Sequence, residues 1–199
     1  MRLFIGIQIS MAAVDAITEA VVGMRGGADA SGLNVRWVPP ASYHVTLKFL
    51  GEARPETVAA IRDAVAAAVD DEAAFRFATR GAGAFPSPER ARVLWIGADD
   101  AGGRMARIAA ACDEALAPLG FEPERRAFHP HVTIGRLRQV ANAEALVLRC
   151  TEQEFSETRA SAVTLFESTI KSNGSEYAVR AQWPLRQTGS VERTPGPNR

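Results

Sequence analysis

Tyr43-His44-Val45-Thr46-Leu47-Lys48-Phe49-Leu50 is the stretch from which the fold of this 199-residue chain is read. Its side chains alternate with a period of two, the signature of a β-strand whose faces meet different surroundings. Tyr43, Val45, Leu47 and Phe49 fall on one face, and His44, Thr46 and Lys48 on the other. An echo follows at His131-Val132-Thr133-Ile134-Gly135-Arg136-Leu137, at the end of chain that reads as extended from Arg126. Two related lobes, each with one such strand, would account for the repetition.

Upstream of the first motif, Leu3, Ile5, Ile7 and Ile9 alternate with more polar neighbours, which reads as a strand and not as the apolar block of a signal peptide. Ser10 is placed to cap a helix carrying Val14, Ile17 and Val21, ended by the glycines around Gly26. Residues 35–38 are extended ahead of Pro39 and Pro40. Downstream, Pro55 suits the first turn of a helix with the apolar stripe Val58, Ile61, Val65 and Val69. Strands are predicted over 75–80 and 92–96, separated by turns at Pro86 and Pro88, and a helix follows with Met105, Ile108, Cys112 and Leu116. The last strands are predicted over 163–170 and 177–183. Residues 187–199 are polar and rich in turn formers, and read as a disordered tail. Strands interleaved with helices, yet joined by short hairpin-like connections, favour mixed or antiparallel sheets over one doubly wound parallel sheet.

The bulk composition narrows the function. Lys plus Arg number 23 and Asp plus Glu number 23, so no net positive field exists to hold a long nucleic acid, and any such substrate is gripped at one end. Cys112 and Cys150 form no Cys-x-x-Cys pair, which argues against a disulfide framework or a cysteine-built zinc site. No apolar run is long enough to span a membrane, and the expected location is the cytoplasm.

A single His-x-Thr is weak information. With 11 threonines in the chain, at least two of three histidines carry threonine at the second following position by chance roughly one time in a hundred. On a strand, residues two apart share a face, so each motif offers an imidazole beside a hydroxyl, and two facing motifs make a four-cornered phosphate site. Imidazole titrates near neutrality, so one ring can take a proton from water while the other protonates a leaving oxygen. Thr46 and Thr133 would hold non-bridging phosphate oxygens without a cofactor. Arg136 could add charge to the phosphate, but strict alternation turns it away from His131 unless the strand bulges near Gly135. Lys48 is a second cationic candidate. The aromatics Trp37, Tyr43, Phe49 and Phe128 are open to base stacking or to a core role. Two rival readings stand beside this one. In the first, His44, His129 and His131 bind zinc; in the second, the same cleft holds an RNA end without turnover.

Longer stretches carry a resemblance. Arg2-Leu-Phe-Ile-Gly-Ile, Arg36-Trp-Val-Pro-Pro, Tyr43-His-Val-Thr-Leu-Lys-Phe-Leu-Gly-Glu, Gly83-Ala-Phe-Pro-Ser-Pro-Glu-Arg-Ala-Arg-Val-Leu-Trp, Phe128-His-Pro-His-Val-Thr-Ile-Gly-Arg and Leu165-Phe-Glu-Ser occur in this order. They resemble the two-histidine (2H) phosphoesterases, in particular the bacterial RNA 2′,3′-cyclic phosphodiesterases of LigT-like type, also known as 2′-5′ RNA ligases. The resemblance implies a bilobal α/β (α+β) fold over residues 1–186, with two antiparallel sheets flanking a central cleft and helices outside. It implies hydrolysis of a terminal 2′,3′-cyclic phosphate on RNA ends or nucleotides to a 2′-phosphate; no metal or other cofactor is expected, and a monomer is the default expectation. In such enzymes His44 would be the proton donor to O3′, His131 the proton acceptor from water, and Thr46, Thr133 and Arg136 the phosphate-binding residues. Microscopic reversibility gives the same site a weak 2′-5′ RNA ligase activity as a secondary expectation.

Overall fold

The computed structural model describes residues 1–171 and 174–187, and most of the tail expected from Gln187 lies outside them. The alternating N-terminus forms β1 (Arg2–Gln8), burying Leu3, Ile5 and Ile7 almost completely. Ser10 caps α1 (Met11–Ala30), its hydroxyl accepting from the Ala13 amide. The helix does not stop at the glycines near Gly26, because Met24 and Ala28 continue the buried stripe of Ala13, Ile17 and Val21 for another turn. At Gly27 a Cβ would meet Leu146 at 3.0 Å, so this glycine serves a close packing contact and not a terminus.

The remaining elements are β2 (Val35–Trp37), β3 (His44–Glu52), α2 (Val58–Val69), β4 (Phe75–Phe85), β5 (Ala91–Asp99), α3 (Arg104–Leu116), β6 (His131–Ala141), α4 (Glu144–Val147), β7 (Glu154–Ala160), β8 (Ala162–Lys171) and β9 (Gly174–Pro184). The helical stripes read from sequence bury as expected: Ile61, Val65 and Val69 on α2, and Met105, Ile108, Cys112 and Leu116 on α3. The extended run expected from Arg126 narrows to a strand starting at His131. Pro130, which has no N–H for a ladder, precedes it. The polar edge strand β7 had no apolar alternation to announce it, since only β4 flanks it in the sheet.

The strands lie in the order β7-β4-β5-β6-β3-β1-β8-β9, with β2 beside β6, and every pairing between them is antiparallel. The two expected sheets are therefore the halves of one curled sheet. One lobe is β3-β1-β8-β9 and the other is β6-β5-β4-β7 with β2, and they meet where Val45 pairs with Val132. The halves are interlaced. β4, from the first half of the chain, completes the second lobe, and β8 and β9, from the second half, complete the first. The helices cross over too: α1 packs on β7, while α3 packs on α2 and β3. Helices and the apolar strand faces share one core, which leaves the other face of the sheet to the cleft.

Candidate active site

Three bulges decide which side chains reach the cleft. On β3, Thr46 pairs with Gly6 but Lys48 pairs with Ile5, so Leu47 is an extra residue and the alternation slips there. Lys48 therefore does not share the face of His44 and Thr46. It is only 5% exposed, turned toward α3, with its ammonium on the Asp113 carboxylate and donating to the Glu122 carbonyl at 2.9 Å. The same slip brings Phe49, which regular alternation put on the face of Tyr43, Val45 and Leu47, out to 65% exposure. On β6, Thr133 pairs with Trp95 but Gly135 with Leu94, making Ile134 the extra residue. Ile134 and Gly135 are both buried, and Arg136 emerges on the face of His131 and Thr133. The bulge that the arginine needed is present. The third slip, on β4 at Gly81 with φ +65°, leaves Arg80 opposite Gly97 and Gly83 opposite Trp95.

The junction of the lobes brings the motifs together. An antiparallel pair with Val45 against Val132 sets His44 across from Thr133, and Thr46 across from His131. Both rings are held the same way. His44 Nδ1 lies 2.8 Å from the Ser42 carbonyl oxygen and His131 Nδ1 lies 2.6 Å from that of His129. A carbonyl only accepts, so each Nδ1 carries the proton and each Nε2 is left for chemistry. His44 Nε2 is 2.9 Å from Thr46 Oγ1, which donates to it while the ring is neutral. Burial pushes the His44 pKa down to about 4, the Ser42 carbonyl opposes this, and the charges of His131 and Arg136 push it lower. Burial also lowers His131, opposed by the His129 carbonyl and reinforced by His129 and Arg136.

Aromatic walls flank each imidazole. In the first lobe Phe4 lies 4.7 Å from the His44 ring and stacks on Phe166 at 4.9 Å, and Tyr177 meets His44 edge-on at 5.2 Å. In the second, Phe85 meets His131 edge-on at 5.0 Å, and Trp95 lies 4.8 Å from His129. Glycines make room for these rings. A Cβ on Gly6 would stand 2.7 Å from the Val45 carbonyl oxygen and 3.4 Å from the His44 ring, and one on Gly83 would stand 2.3 Å from the Trp95 indole.

Sequence reasoning does not find Phe4, Phe85, Trp95, Phe166 and Tyr177 as site residues. The available signal was Phe4, an aromatic on the polar face of the strand whose other face is Leu3, Ile5 and Ile7. Of the candidate stacking aromatics, Tyr43 is buried, Trp37 packs against the core, and Phe128 lines a pocket with His129 and Trp95. His129 sits with Phe85 and Trp95, its ring 6.2 Å from that of His131. Among the described residues, no three His, Cys, Asp or Glu side chains gather as a metal site, and no helix is long and apolar enough to cross a membrane. Cys112 and Cys150 are free and buried.

A sheet built from two interlaced halves, each bearing one imidazole and hydroxyl pair on a shared cleft, defines the two-histidine class. The chain belongs to the LigT-like phosphoesterase family, whose model matches residues 12–95 and again 96–177, one match in each half. It is 32% identical to the RNA 2′,3′-cyclic phosphodiesterase of Aeropyrum pernix over 164 residues, covering 81% of this chain and 92% of that one. Its identity to the protein of the same name from Methanocaldococcus jannaschii is 30% over 186 residues, covering 92% and 100%. The crystal structure of the Thermus thermophilus protein TT0787 superposes with a TM-score of 0.79 at 26% identity, covering 95% of this chain and all of that one. Apo E. coli LigT shares the fold, with a TM-score of 0.70 at 23% identity over 94% and 98% of the two chains.

Proposed function

We propose that this protein is an RNA 2′,3′-cyclic phosphodiesterase, a hydrolase that opens a terminal cyclic phosphate to a 2′-phosphate. The observation that carries the reading is the antiparallel junction at Val45 and Val132, which sets two imidazoles on one cleft, each anchored through Nδ1 so that Nε2 is its reactive atom. His131 Nε2 takes a proton from water as the oxygen attacks phosphorus. The bond to O3′ breaks on the opposite side, and His44 Nε2 gives its proton to that oxygen. One P–O bond forms and one breaks, and the products are a 2′-phosphate and a 3′-hydroxyl. Thr46, Thr133 and Arg136 hold the non-bridging oxygens and stabilise the charge that gathers on them.

The depressed pKa values fit a cleft that binds an anion. With His44 near 4 and His131 also lowered, both rings are neutral at pH 7, and two positive charges across one cleft are avoided. A bound phosphodiester supplies a negative charge, raising both values and favouring the singly protonated pair that the reaction requires. A 5′-hydroxyl in place of water at the same phosphorus would give a 2′-5′ linkage, so weak ligation belongs to the same reading. Residues 1–186 act in it as one bilobal domain, as a monomer and in the cytoplasm.

The test incubates the protein, with chelator present, with an RNA oligonucleotide ending in a 2′,3′-cyclic phosphate. A 2′-phosphate product, and a loss of at least about a hundredfold in kcat for His44→Ala and for His131→Ala, is expected. Absence of conversion by folded wild-type protein would overturn the assignment in favour of an RNA-end binding module, and chelator-sensitive turnover would revive the zinc reading.

A further inference from the structure

Arg36 is the centre of β2, and its register partner on β6 is Arg136. Directly paired residues of antiparallel strands point to the same face, so both guanidinium groups project from the cleft side, while Val35 and Trp37 pack over Gly135 on the other. Two like charges directly opposite one another destabilise a sheet. No carboxylate among the described residues forms an ion pair with either one, although ten ion pairs are formed elsewhere. The chain is neutral overall, so this concentration of positive charge is local. Tyr177, on the opposite wall beside His44, lies within the electrostatic reach of Arg136, Arg2 and Arg36 together, which oppose the rise that burial imposes on its phenol.

We infer that Arg36 is a second phosphate subsite, which binds the phosphodiester on the 5′ side of the terminal nucleotide while Arg136 serves the cyclic phosphate. The inference rests on the proposed function and names its substrate class: RNA 3′ ends in preference to free nucleoside cyclic phosphates. Two anions one sugar apart along a strand neutralise two cations paired across adjacent strands. A nucleoside 2′,3′-cyclic phosphate with a bare 5′-hydroxyl fills one half of the site and leaves Arg36 without a counter-ion.

The experiment compares kcat/KM for three substrates: adenosine 2′,3′-cyclic phosphate, the same nucleotide carrying a 5′-phosphate, and the dinucleotide ApA ending in a cyclic phosphate. In wild type the 5′-phosphate alone is expected to raise kcat/KM about tenfold, the dinucleotide to match it, and Arg36→Gln to collapse both ratios toward one. Salt gives a reading that needs no variant. One extra phosphate contact on a single strand lowers the wild-type ratio about threefold between roughly 50 and 300 mM salt, from a slope near about −0.7 per contact. A preference for the dinucleotide without one for the 5′-phosphate would assign the gain to a base and overturn the inference, as would ratios that ignore both salt and Arg36→Gln. Failure of wild type to turn over any of the three would instead sink the proposed function.

Discussion

At the scale of single residues, the proposed mechanism makes the two imidazoles set the pH dependence. In that mechanism the active form of the free enzyme has one ring charged and the other neutral, and kcat/KM reports the pKa values of that free enzyme. His44 titrates near 4 and His131 below its usual value. Above the higher of the two, kcat/KM falls about tenfold per pH unit as the proton needed by the acid is lost. Below the lower one it falls again as the base becomes protonated. The expected profile is a bell centred on the acid side of about pH 6.5, the ordinary imidazole value. Arg136 lowers both rings, so Arg136→Gln should move both limbs of the bell upward while reducing its height. A wild-type alkaline limb above pH 7 in kcat/KM, or an acidward shift in the variant, would contradict the electrostatics. His44, Thr46, His131 and Thr133 were legible from sequence because residues two apart on a strand need only the alternation to be intact between them. Arg136 lay three residues beyond Thr133, with a bulge between, and pattern alone could not carry the reading across it.

At the scale of elements, the bulge in β3 turns a cation inward and makes a tether of it. Lys48 joins β3 to α3 through Asp113, and its bond to the Glu122 carbonyl, with that of the Glu124 amide to Asp113, fastens the start of the loop that leads to His131. Removing one member of a buried ion pair strands the other, which costs about 3–5 kcal/mol. Lys48→Met should therefore lower the free energy of unfolding in urea by about 3 kcal/mol, and Lys48→Met with Asp113→Leu should recover most of it. Equal losses in the single and double variants would show that the pair is not what holds these elements together. Sequence placed Lys48 beside His44 because the letters alternate regularly through Leu47. The extra residue is visible only once β1 supplies the register, and Gly6, which admits no Cβ against Val45, is part of that fit.

At the scale of the whole molecule, the lobes are visible in the repeated motif, but their interlacing is not. A strand's neighbour is fixed by which apolar faces close on one another across the chain, and no local pattern records that β5 pairs with β6 beyond α3 or that β8 returns to β1. The exchange should make the lobes one thermodynamic unit. Trp37 and Trp95 report on the second lobe and Trp183, on β9, on the first, so tryptophan fluorescence and far-UV circular dichroism should trace one coincident unfolding transition. Two separated transitions, or single-tryptophan variants with different midpoints, would mean that each lobe stands alone.

The interlaced topology also has a consequence for how the protein is made. β1 is synthesised before both of its neighbours, yet its place between β3 and β8 is complete only after residue 171 has been added. The aromatic wall around His44 needs Phe166 and Tyr177, which come later than both histidines. A nascent chain can therefore carry both histidine motifs and still lack the aromatic enclosure around His44. The wall around His44 closes only once β8 and β9 have been added to the chain.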